Sequence, residues 1–486
     1  MSQVVIRRSG VPGPQGPQGP VGDPFAPTGS SLVGFQQSGT GAISRTVQDK
    51  LRELALRPED YGAKGDGATD DTAAFAALEA ALSSSVSRWA ALRAGATYRT
   101  SRFWVPDGTR IEGNGATIER TAPTADPLVS TGVKCVVEDL NVDGRYGAGV
   151  ASSSIREIGI AVDDDCTVRR CTATRVYRHG IGNKPVSDKL RYYRLLIEDC
   201  YAHDCGANPA SDGSGTGDGI GLTNVSDSTV RRCRGDGNAR SGVTMTTYDP
   251  DTATTDNSLS ANVIFEDVTA FENAYATAIN AEHVTAPRLI HCRTDGAISF
   301  NNSANVYADR AEAASLSGTG AAHNPVVLNP TLANAARGHE ILSLEGNSPT
   351  VIGGTVTTTF ATPTGNVVQV LPADSKGVVR DVIVIGGNNG FRLNVSDFSG
   401  LRSDTAAGLG VLEGPTGSSR NFVPAQIPVK IKGRIRGIAA AIPSTGTWNR
   451  GDVLESLTPS AGGYQGWVCV TSGAPGTWKG AGAIEV

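Results

Sequence analysis

Between residues 177 and 248 the sequence concentrates side chains able to move a proton or hold a sugar. They are Tyr177, Arg178 and His179, then Tyr201, His203 and Asp204, then Asp212 and Asp218 within GANPASDGSGTGDGI (residues 206–220), and finally Asp236, Arg240 and Tyr248. Hydrolysis of a glycosidic bond needs two carboxyl groups, one kept protonated, about 5–5.5 Å apart for retention or about 6.5–9.5 Å for inversion. Asp204 or Asp218 set against Asp236 would meet that need if adjacent segments stack. β-Elimination beside a uronate needs instead a base such as His or Tyr and a cation to neutralise the carboxylate, for which His179, His203 and Tyr177 are the candidates. Arg240, Tyr201 and Trp467 are candidates to bind substrate. Hydrolysis calls for no cofactor, whereas an elimination could use calcium. The same residues also have an ordinary reading: Asp-Gly pairs are turn chemistry, so Asp212, Asp218 and Asp236 would then only shape loops. Glu282-His283 is a second, weaker pair.

The elements that must position these groups are visible as a repeat. Leu140, Cys171, Cys200, Cys233, Val268 and Cys292 are separated by 31, 29, 33, 35 and 24 residues. Three positions earlier stand Val137, Val168, Ile197, Val230, Phe265 and Leu289; two positions later stand the small or β-branched Val142, Ala173, Ala202, Gly235, Ala270 and Thr294. A second short strand opens at Gly149-Val150, Gly180-Ile181, Gly242-Val243 and Ala278-Ile279. Short β segments recurring at this period, with insertions of variable length, predict a parallel β-helix, a solenoid of about ten to twelve coils ending near residue 400.

The residues just before the anchors test the register. Glu138, Arg169, Glu198, Arg231 and Glu266 alternate in sign, as do Asp139, Arg170, Asp199, Arg232 and Asp267. Stacked roughly 4.8 Å apart, alternating charges attract where a single-sign column would repel. Cys171, Cys200, Cys233 and Cys292 share one stack position, and Cys135 and Cys166 another; these read as small core residues, without the CxxC spacing of a zinc site.

Composition agrees. With 43 Lys plus Arg against 48 Asp plus Glu, the net charge of −5 argues against a nucleic-acid binder. Gly occupies 60 of 486 positions, which favours turns over helices. The sequence shows no apolar run long enough for membrane insertion, and MSQVVIRRSGVPGP lacks the apolar stretch of a secretory signal. Gly10, Gly13, Gly16, Gly19 and Gly22, interleaved with prolines, keep the period of three of a collagen-like segment, although an extended Pro/Gly linker has the same composition. TVQDKLRELAL (46–56) predicts a short helix. Asp70 or Asp71 is placed to cap a second helix, reaching about Ser84, that buries Phe75, Leu78 and Leu82. Trp448, Trp467 and Trp478 fall in the last 40 residues, as a sugar-binding tip or as the core of a small module.

RTVQDKLRELALRPEDYGAKGDGATDDT (45–72) resembles the junction of phage tailspike and tail-fibre proteins at which a virion-attachment segment meets a pectate-lyase-like right-handed β-helix. The likeness is close over this motif and looser over the coils of 58–400. It implies an all-β chain in three parts: an attachment segment (1–57) with the collagen-like stretch (10–24), the β-helix (58–400), and a C-terminal β region (401–486) with a small module at 443–486. It further implies a homotrimer, made in the host cytoplasm, joined to other tail or baseplate proteins of the virion and acting on bacterial surface polysaccharide. In that family Gly-Asp-Gly and Thr-Asp-Asp open the β-helix and are not catalytic. The Asp218 segment is similar to the Asp-Gly-Ile element of β-helical glycosidases, without their paired Asp and Gly-His-Gly. Tyr201-Ala202-His203-Asp204 is similar to the Tyr, His and Asp of β-helical uronate epimerases and lyases. The function expected is a depolymerising tailspike; the alternatives are a non-enzymatic adhesive tail fibre and, last, a secreted pectinase-like enzyme.

Overall fold

A computed structural model describes residues 29–485 apart from short segments, the longest being 147–156, 207–216 and 248–258. The collagen-like triplets, Asp212 and Tyr248 lie outside the described residues. Three parallel sheets run the length of the solenoid, with 14, 14 and 12 strands among the described residues. Each coil contributes one short strand to each sheet in turn, as in Val136–Glu138, Asn141–Asp143 and Ile160–Val162.

The register is the one the repeat requires. Val137 pairs with Val168, Val168 with Ile197, Ile197 with Val230 and Val230 with Phe265 along the first sheet. Val142, Ala173, Ala202 and Gly235 stack along the second. The third carries Ile160, Ile181, Ile220, Val243 and Ile279. The third-sheet strand of the Leu140 coil is Ile160–Val162, whereas the expected opening at Gly149-Val150 lies outside the described residues. Coils also stand before the Leu140 anchor, from Asp66–Asp70 onward. Ile111 and Ile118 occupy the positions of Val137 and Val142, but Gly113-Asn114-Gly115 widens the corner between them and hides the spacing. The last strands of the first two sheets, Asp397–Ser399 and Arg402–Asp404, agree with an end near residue 400.

The corner between the first and second sheets is made by one left-handed residue per coil: Asp139, Arg170, Asp199, Arg232 and Asp267 have φ of 54°, 52°, 54°, 51° and 52°. Such a conformation costs on the order of 1 kcal/mol in a non-glycine residue, and here the alternating charges offset it. Arg169 and Arg170 reach Glu138 at 2.6 and 2.9 Å, and Arg170 reaches Asp139 at 2.7 Å. Arg231 and Arg232 repeat this on Glu198 and Asp199 at 2.6 and 2.7 Å. Burial pushes the Glu138 carboxyl up, but Arg169, Arg110 and Arg170 together outweigh it and hold the group below its ordinary range. Upstream the alternation stops: Glu112 stacks on Glu138, and Arg110 neutralises both at 2.9 and 2.6 Å. The eight cysteines are buried free thiols. No helix among the described residues is long and apolar enough to cross a membrane.

The helix Thr72–Ser84 closes the first coil with Phe75, Leu78 and Leu82 fully buried, Phe75 packing edge-on against Tyr98 and Phe103 at 5.5 and 5.0 Å. Asp71 is its N-cap residue by position, yet its carboxylate accepts no bond from the helix. It accepts instead the N–H groups of Lys64 and Gly65 at 2.7 and 3.1 Å, pinning the preceding loop, while Asp70 accepts from Thr72. The N-terminal helix is shorter than expected, Val47–Leu51. At the other end a five-stranded sheet spans Val429–Ala483, and Trp448 and Trp478 pack edge-on at 5.0 Å, buried as its core. Replacing Asp71 by Ala strands two N–H groups and is expected to lower stability by about 2 kcal/mol, read as a lower unfolding midpoint, with Asp70→Ala costing less because that side chain is exposed.

Candidate functional site

Side chains alternate across the second sheet, so with Ala173, Ala202 and Gly235 facing inward, their neighbours point outward in two columns, Arg234 exposed and Asp236 buried beneath it. Thr172, Tyr201 and Arg234 form one column; Thr174, His203 and Asp236 form the other. The Tyr201 ring stacks on His203 with centroids 4.5 Å apart. His203 Nδ1 lies 2.7 Å from Asp204 Oδ2, which fixes the ring and leaves Nε2 as the nitrogen available for proton transfer. Arg234 lies 5.3 Å over the Tyr201 ring and forms an ion pair with Asp236. Asp236 Oδ1 accepts the N–H of Phe271 at 2.9 Å. Asp204 stands at a left-handed corner, φ 54°, its Oδ1 only 3.1 Å from where a Cβ on Gly237 would stand. Burial, followed by the charge of Asp236, raises the Tyr201 hydroxyl above its ordinary value, so it remains a proton donor at neutral pH.

A second group lies at the corner leading into the third sheet. Asp218 is completely buried; its Oδ1 accepts the N–H of Ser241 at 3.1 Å, and its Oδ2 lies 3.3 Å from His179 Nδ1 and 3.7 Å from Arg240. The His179 ring fills the space that a Cβ on Gly221 would need, 2.4 Å from Nδ1. Burial raises Asp218 to about 6 against the pull of Arg240 and the Ser241 N–H. Burial, with Arg178 and Arg240 adding to it, pulls His179 well below its ordinary value, so its imidazole is neutral.

The sequence candidates therefore fall into two sets. Tyr201, His203, Asp204 and Asp236 meet on one face; His179, Asp218 and Arg240 meet in the corner. Tyr177 packs edge-on against Tyr146 at 5.3 Å and is nearly buried. Trp467 lies in the C-terminal sheet opposite Leu454 and Gly480, away from the coils that carry the others. Among the three carboxylates considered for hydrolysis, Asp236 is committed to Arg234 and Phe271 and Asp218 is enclosed, which leaves Asp204 as the exposed one. Arg234 escaped the sequence reading, although it holds the same position after its anchor as Tyr201, and the repeat itself was the signal that could have found it. Among the described residues, no group of three or more His, Cys, Asp or Glu is placed to hold a metal ion.

The raised Asp218 carboxyl has a stability consequence with a definite sign. A folded-state value above the ordinary 3.8 contributes stability that is present in acid and lost as pH rises through about 6. Asp218→Asn removes the ionisation and should gain on the parent protein over that interval, by on the order of 3 kcal/mol, in unfolding midpoints compared at pH values on both sides of it.

Comparison with known proteins adds an independent line. A family described as right-handed β-helix region matches residues 128–313. The tail spike protein of an Escherichia phage is 40% identical over 104 residues, which make up 21% of this chain and 12% of that protein. The A-module of mannuronan C-5 epimerase AlgE6 from Azotobacter vinelandii superposes with a TM-score of 0.53 at 16% identity, covering 72% of this chain and 99% of that one. PfbA, a surface adhesin of Streptococcus pneumoniae, gives 0.51 at 14% identity, covering 78% and 97%. At such identities the two structures speak to the fold alone. The chain is thus a right-handed parallel β-helix protein that shares a stretch of sequence with a phage tail spike.

Proposed function

We propose that this chain works as a phage tailspike that binds a bacterial surface polysaccharide and cleaves it on the second-sheet face by β-elimination beside a uronate. The carrying observation is His203, held by Asp204 at 2.7 Å, stacked on Tyr201 and bordered by Arg234. In this reading His203 Nε2 takes the proton from the carbon next to the uronate carboxylate, whose growing charge Arg234 neutralises. The electron pair forms the new carbon–carbon double bond as the glycosidic C–O bond breaks, and Tyr201 gives its hydroxyl proton to the departing oxygen. Proton and electrons balance, and the products are a free hydroxyl and an unsaturated uronate. Hydrolysis is supported less well, because only Asp204 of the candidate carboxylates is exposed.

The virion reading rests on the shared sequence with the phage tail spike and on the junction motif. We further propose a homotrimer attached through its N-terminal part to other tail proteins. The Gly-X-Y triplets need three chains to wind. Just beyond them Leu32, Val33, Ile43, Leu51 and Leu54 are exposed by 58, 43, 79, 50 and 56%, an apolar collar that partner copies would cover.

Incubation with uronate-containing surface polysaccharide should produce both reducing ends and the absorbance of unsaturated uronate. His203→Ala should lower the rate at least about 100-fold, with Tyr201→Phe and Arg234→Ala also strongly impaired. Reducing ends without the chromophore would replace elimination by hydrolysis, and neither signal on a polysaccharide that binds would leave the adhesive shaft. If Arg234 rather than calcium neutralises the uronate, a chelator leaves the rate unchanged.

A further inference from the structure

Away from the second-sheet face, a cavity of about 400 Å³ opens on the first strands of the third sheet, Phe103–Val105 and Val129–Thr131. Trp104, Pro106, Asp107, Pro127, Ser130 and Lys184 are among its walls. We propose that this cavity is a saccharide-binding subsite for one or two neutral pyranose units, separate from the cleavage face.

Trp104 faces outward because Phe103 and Val105 on either side point into the core, and it remains 44% exposed. The Arg102 guanidinium stacks 3.6 Å from its ring and is not part of the cavity wall, of which Trp104 is the aromatic member. The Trp104 backbone N–H donates to Glu79 of the helix at 2.6 Å. An aromatic plate fixed in this way loses little freedom on binding, and the C–H face of a pyranose lies flat against such a plate while its hydroxyls point to the rim.

The rim supplies partners for those hydroxyls. Ser130 is the ladder partner of Trp104 on the next coil. Asp107 Oδ1 accepts the N–H of Val133 at 3.0 Å, and a Cβ on Gly132 would fall 2.1 Å from that oxygen, so the glycine is what admits the carboxylate. Asp107 thus brings a carboxylate to the cavity wall as an acceptor for a sugar hydroxyl. Lys184, held by Asp163 at 3.2 Å, supplies a donor. Pro106 and Pro127 carry no N–H that would need water. Donors and acceptors of both signs around an aromatic face suit a neutral, hydroxyl-bearing ring, whereas a row of cations would suit a uronate.

The test is saturation-transfer NMR on the full chain, using as probes glucose and galactose tetramers and neutral oligosaccharides from host surface polysaccharide. Binding is expected for the parent protein, weakened at least ten-fold in Trp104→Ala, largely kept in Trp104→Phe and unchanged in His203→Ala, with equal unfolding midpoints as the check on folding. Failure of every probe to bind, equal binding by Trp104→Ala, or loss of binding in His203→Ala would each overturn the subsite. Trp104-dependent binding in a protein that cleaves nothing would uphold the subsite and remove only the elimination.

Discussion

Everything in this molecule depends on one spacing: each coil must hydrogen-bond to the next along three sheets, at roughly 4.8 Å per step. That leaves no room for a side chain wherever two coils cross closely. A Cβ on Gly113 would stand 2.4 Å from the Asp139 carbonyl oxygen, one on Gly144 2.5 Å from that of Arg175, and one on Gly182 2.4 Å from that of Gly221. It also fixes the corner between the first two sheets in a left-handed conformation, which L-residues resist. Asp and Arg occupy those corners because their charges meet opposite charges one coil away.

The same spacing decides where variation is allowed. The corner between the second and third sheets takes the insertions at 147–156 and 207–216 without breaking the ladders on either side. Titratable side chains gather around this corner, where the chain departs from the coil path while the adjoining strands stay in register. Tyr201, His203, Arg234 and Asp236 lie on the strands leading into it, and Asp204, Asp218 and Arg240 lie within it.

Two histidines one coil apart show how the environment divides roles. His179 is enclosed beside Asp218, Arg178 and Arg240, and burial with two nearby cations keeps its imidazole neutral. His203 is partly exposed, with a carboxylate fixing one nitrogen. An identical side chain is thus sealed into the packing of the corner in one coil and left partly open to solvent in the next. Asp204 and Asp218 divide in the same way, one exposed and one fully enclosed.

The solenoid and its register were legible in the sequence because stacking places equivalent residues in contact. A core position that takes Leu140, Cys171 and Cys200 must keep taking small or medium apolar residues, and a column of Glu138, Arg169 and Glu198 must alternate in sign. The burial of Phe75, Leu78 and Leu82 was legible for the same local reason, a helical period with one apolar face. The first coils fall outside the anchor repeat, since the widened corner at Gly113-Asn114-Gly115 shifts the spacing, and only the motif at 45–72 points to them. Asp218 reads as an exposed Asp-Gly turn; only the tertiary structure tucks it beneath Arg240 and against His179. Asp236 reads as a free carboxylate, yet it is tied to Arg234 on its own strand and to a backbone N–H one coil later. Trp104 and Lys184 are far apart in sequence and share a cavity only because the coils bring them together. Periodic contacts repeat and so leave a pattern in one dimension, whereas burial and encounters between distant residues depend on where each coil lies and leave none.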